Sequence, residues 1–161
     1  MKVEVDMSKV VPVALMKGED EEETAGLREM LAEATTYLQA FSWVREVKAA
    51  YLGIGVAKIV GVFLFEIIPA REDVDDKVWV IVGDLPPAYI TAEDAPNPAA
   101  ALDAYIGAME QWVEAAKAGH SLEKLIPVNV APTAENAAQL ESRLRFLDKQ
   151  ILSSYPEDLA Q

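Results

Sequence analysis

With 161 residues, 52% of them hydrophobic and 25% charged, the chain has the size and composition of one folded domain burying roughly 70% of its unfolded surface, which excludes a disordered or fibrous polypeptide. It has no cysteine, which removes disulfides, thiolate metal sites and thiol nucleophiles together and fits a reducing, cytoplasmic setting. Lys and Arg number 14 against 27 Asp and Glu, a net charge of -13, so nucleic acid is repelled at long range and a basic protein is the partner this field attracts.

The opening residues carry Glu4, Asp6 and Pro12 where a signal peptide would be basic and then apolar, so no export signal is expected. The segment before Glu19 is read as an edge strand over 10–15 or as a flexible arm of a single 1–161 domain. The acidic run at 19–23 is read as a helix start. Asp20 with Glu23 three residues on has capping-box spacing, and acids favour a helix N-terminus. Leu27, Met30, Leu31, Ala34, Tyr37, Leu38 and Phe41 then recur every three or four residues, predicting a first helix over 21–41. Val44, Val47 and Tyr51 predict a second, shorter helix capped by Ser42 and closed by Gly53, or a kinked continuation of the first.

From 54 to 68 the chain turns to Val, Ile and Phe, with Gly53, Gly55 and Gly61 against a helix, predicting a long strand buried on both faces. At 54–70, with Lys58 and Glu66 inside it, this stretch falls short of the roughly 20 residues a membrane span needs. The polar segment 69–76 and the apolar run 78–82 complete an antiparallel hairpin. A symmetric loop sets Glu66 opposite Trp79, Leu64 opposite Ile81 and Asp84 opposite Gly61. Pro86 and Pro87 end regular pairing unless that strand lies at an edge. Asn97 with Pro98 opens a helix over 98–118 that Gly119 closes, and Thr133 caps a last helix over 134–153 with Glu141 and Arg145 as an outward pair.

The residues needed for familiar chemistry are scarce. His120 is the single histidine, so neither a histidine-rich metal site nor a His-x-x-x-His helix exists. Phosphate-binding glycine loops and the serine-hydrolase elbow have no match. The carboxylates of 72–76 lack the glycine and terminal Glu of a calcium loop. No cofactor and no metal is therefore expected. Glu66, a carboxylate inside an apolar strand, must find a partner, reach a strand end or titrate high. With Trp79 beside it and Asp84 completing a carboxylate pair, it is a candidate for acid/base work. Against this, the register that sets Asp84 opposite Gly61 places the two carboxylates far apart and on opposite faces. Pro86, Pro87 and Tyr89 offer a rigid edge and an aromatic ring to a partner.

The runs 62–67 and 79–89, VFLFEI and WVIVGDLPPAY, resemble a pattern in a family of small uncharacterised bacterial proteins, the similarity extending over 42–152. The resemblance implies a bacterial, cytosolic origin and no activity. The residues together predict an α+β fold, a small antiparallel sheet in two layers with about four helices, whose doubly apolar central strand is covered by helices on both sides or shared in a homodimer. The expected function is a non-catalytic acidic interaction domain of inhibitor, immunity or regulatory type. The alternative is a small-molecule binder or carboxylate enzyme using Glu66 and Asp84.

Overall fold

The computed structural model describes residues 4–160. Its centre is a five-stranded antiparallel sheet in sequence order, β1 (Val11–Pro12), β2 (Val44–Val56), β3 (Val60–Pro69), β4 (Lys77–Gly83) and β5 (Ala88–Thr91). One long helix, α1 (Glu21–Gln39), covers one face and α2 (Pro98–Ala118) the other; α3 (Ala134–Phe146) and the one-turn α4 (Pro156–Leu159) pack on α2. The arrangement is α+β as expected, but in three layers instead of two. Both faces of the central strand are covered by helices within the chain, the first of the two arrangements expected.

The two faces carry separate cores. Phe63, Phe65, Ile67, Val78 and Val80 pack with Leu27, Met30, Ala34 and Leu38 of α1. Val62, Leu64, Trp79 and Ile81 pack with Leu102, Tyr105 and Met109 of α2 and Leu140 and Leu144 of α3. Period-2 alternation on β3 and β4 thus meets helical stripes on both sides.

The helix expected after Ser42 is instead strand β2. Its pairing with β3 is interrupted by irregularities at Val44/Glu46, Val47/Ala49 and Leu52/Ile54. Each inserts a residue, so Val44, Val47, Ala50 and Leu52, which share the α1 face, stand three, three and two apart. A bulge therefore produced the Val44–Val47 spacing that imitates a helix, while Tyr51, the third residue of the expected stripe, faces α2. Gly53 does not end a helix: it lies where α2 meets β2, and a Cβ there would stand 2.5 Å from Pro98 Cγ.

The expected long strand 54–68 is two strands joined by a turn at Ala57, Lys58 and Ile59, closed by Ile59 N–H donating to the Val56 carbonyl at 3.0 Å. Lys58 sits in the left-handed region at φ 67°, a conformation that costs a non-glycine residue about 1 kcal/mol. Lys58→Gly should therefore raise unfolding stability by up to about 1 kcal/mol in urea denaturation. The β3/β4 register also differs from the symmetric loop. Leu64 lies opposite Trp79 and Glu66 opposite Lys77, because Ile68 and Pro69 go on pairing with β2 after β4 has ended. The slip is two residues, so every side chain keeps its expected face.

The helix starts follow the sequence closely. Asp20 accepts from Glu23 N–H at 2.8 Å, Asn97 from Ala100 N–H at 2.8 Å, and Thr133 from Asn136 N–H at 3.1 Å. Gly119 takes the left-handed position at φ 70°. The Glu23 carboxylate does not close a capping box; it accepts from Ala57 N–H at 3.1 Å and ties α1 to the β2–β3 turn. The last helix is shorter than expected, passing at Leu147 into a five-residue π-helical turn. Asn97, fully buried, also donates to the Asp158 carbonyl at 3.0 Å, and Lys9 reaches the Asp158 carboxylate at 3.0 Å. The hydrogen bond to that carboxylate raises the Lys9 pKa. Residue 10 onward forms the expected edge strand only over Val11–Pro12; residues 1–3 lie outside the described residues.

Candidate functional site

The sequence candidates separate into three places. Glu66 lies in β3 at the last pair of the β3–β4 ladder, partly exposed, and accepts from the Tyr51 hydroxyl at 2.9 Å. That bond raises the pKa of Tyr51, since the neutral phenol is the donor. Asp84 follows Gly83, which pairs with Val60 at the other end of the β3–β4 ladder. Six residues separate that register from Glu66, roughly 20 Å along an extended strand, so the two carboxylates form no acid/base pair. Trp79 is fully buried beneath α2, its indole N–H donating to the Ala95 carbonyl at 3.0 Å. It is core, with its one donor satisfied.

Tyr89 projects to the α1 face. Its ring meets Trp43 at 5.0 Å and Phe41 at 5.2 Å, both edge to face, and Phe41 meets Tyr37 at 5.2 Å. Burial first, and the neighbouring Tyr89 next, push the Tyr37 hydroxyl up to about 12, so that phenol is neutral at physiological pH. Trp43 lies in the turn just before β2 and carries no site signal in the sequence, where the segment after Ser42 has the spacing of a helix.

Asp84, Pro86 and Pro87 do come together, in the wall of a furrow between the 83–87 turn and α3. The turn leaves the sheet because Gly83 takes φ 137°, after which Asp84 N–H donates to the Ile59 carbonyl at 3.1 Å. Pro86 is anchored from beneath: the Tyr105 hydroxyl of α2 donates to its carbonyl at 2.6 Å. Burial raises the Tyr105 pKa, keeping it a donor. The opposite wall is α3. Arg143 Nε–H meets the Asp84 carboxylate at 3.1 Å, and Asn136 Nδ2–H donates to the Ala131 carbonyl at 2.9 Å.

The furrow consists of two open hollows of about 400 and 200 Å³ that share Asp84, Leu85 and Arg143. Leu85 and Leu140 line the first, with Asn129, Asn136 and Gln139 offering amides; Ile59, Phe146 and Leu147 line the second. Val130 and Phe146, 48% and 45% exposed, stand in separate hollows as large apolar side chains left in water. Arg143, Gln139 and Phe146 carried no sequence signal. They sit on the outer side of a helix, where a residue reads as ordinary solvated surface until the turn facing it is known.

Among the described residues no helix is long and apolar enough to cross a membrane, and no group of three or more His, Cys, Asp or Glu side chains converges as metal ligands would. His120 is exposed just after Gly119. Set against known proteins, the chain matches no family model, no curated protein and no solved structure.

Proposed function

We propose that the chain is a non-catalytic, acidic interaction domain of the cytoplasm that receives an extended peptide segment of a basic partner in the furrow between the 83–87 turn and α3. The observation that carries this reading is the furrow's make-up: a proline-stiffened wall anchored by Tyr105, side-chain amides along α3, and unpaired apolar side chains in both hollows. An amide offers a donor and an acceptor side by side, which suits a peptide backbone, while Leu85, Leu140 and Phe146 suit alternate apolar side chains. The preset proline geometry lowers the ordering cost of binding. The -13 charge speeds encounter with a basic chain, so association should slow as salt rises. The Glu66 and Asp84 separation favours this reading over carboxylate catalysis.

Selection from a displayed library of random linear 12-residue peptides tests it. Enriched peptides should be basic with interspersed apolar residues, and Gln139→Arg, at an exposed helical position of the furrow, should weaken them about tenfold or more while leaving thermal stability unchanged. Peptides that bind Gln139→Arg as well as the parent chain, or a library that yields none, would count against the furrow.

A further inference from the structure

We propose a second binding site, independent of the furrow: the hollow at the start of β4 takes a methylated alkylammonium cation of choline type. It has a volume of about 330 Å³ and lies at the opposite end of β4 from the 83–87 turn. Two of its walls are the partly exposed rings of Trp43 and Tyr89, inclined at 63° to one another. Phe41 meets both wall rings, Tyr89 and Trp43, at 5.2 Å and is itself met by Tyr37 at 5.2 Å, so the ring cluster is packed together before a ligand arrives. Val78, buried, contributes apolar surface.

The rim is anionic. The β3–β4 loop supplies Glu72, Asp73 and Asp75, and Glu93 follows β5, against Arg71 and Lys77. Arg71 is taken up by Asp73 at 3.4 Å, which leaves three carboxylates facing one ammonium. Ring faces are negative at their centres and attract a cation most when it is weakly hydrated, and an aromatic-walled hollow with an acidic rim meets both terms for a quaternary ammonium. A hard metal ion is a poor fit, because it needs several converging oxygens and resists giving up water to an apolar wall.

Tryptophan fluorescence reads the site directly. Trp79 and Trp112 are 0% and 2% exposed, so Trp43 is the tryptophan that an added solute reaches. Titration with choline chloride should give a saturable emission change in the millimolar range, and the neutral isostere 3,3-dimethylbutan-1-ol should bind about tenfold more weakly. Glu72→Gln with Glu93→Gln, both exposed positions, should preserve the fold and weaken choline severalfold. The furrow variant Gln139→Arg should leave choline binding untouched, so failure of either site is separable from failure of the other. No saturable change, equal binding of the neutral isostere, or full affinity in the double glutamine variant would each overturn the proposal.

Discussion

Gly83→Ala is expected to lower stability by roughly 3 kcal/mol or more, which for a chain of this length is a fall of about 10 °C in Tm. Two separate faults add. The φ of 137° at Gly83 lies where a side chain is rarely tolerated, and a Cβ built there would stand 2.3 Å from the Ile59 carbonyl oxygen. That oxygen belongs to the backbone of the β2–β3 turn and also accepts Asp84 N–H, so it has no free rotamer through which to retreat. Relief therefore moves the 83–87 turn itself. The variant should lose furrow binding by more than its stability alone accounts for, measured at a temperature where it is still folded. A change below about 1 kcal/mol in urea denaturation would contradict the close approach at Gly83.

Trp79→Ala is expected to cost about 3–5 kcal/mol, the range for emptying a fully packed aromatic site. Trp79 is fully buried between the sheet and α2, and its removal also leaves the buried Ala95 carbonyl without the indole donor. Trp79→Phe separates the two contributions: most of the packing is kept and the hydrogen bond is lost, so about 1–2 kcal/mol should go. Since the side chain lies under α2 and away from the furrow, neither variant should alter peptide affinity in the fraction that remains folded. A marked affinity loss in Trp79→Phe would restore the pocket role expected from its sequence neighbours.

Where the backbone obeys a single period, the sequence was a good guide. Leu27, Met30, Ala34 and Leu38 are one buried face of α1, and the caps at Asp20, Asn97 and Thr133 stand where their residue types demand. The misread segment is 44–53. Three irregularities in thirteen residues of β2 convert alternation into spacings of three, and no local rule separates that from a helix without knowing that β3 lies alongside. The register error has a similar origin. Loop symmetry is a local assumption, whereas the end of β3 is set by its partner β2. Of the site candidates, Asp84, Pro86 and Pro87 were legible as a rigid exit from the sheet. Arg143 and Gln139 became visible only when the fold laid α3 against that exit.

The furrow's charge pair has a modest structural role. Arg143 and Asp84 are both substantially exposed, so screening by water leaves their contact worth little to stability, and substitutions there are free to report on recognition. Amide chemical-shift mapping with a library-selected peptide tests the central claim most directly. Titration should move resonances of 84–87, 129–131 and 136–147 together, at one affinity, and leave those of 41–43 and 72–78 unchanged. Shifts concentrated at 41–43 and 72–78, or spread evenly over the acidic surface, would contradict a binding furrow between the 83–87 turn and α3.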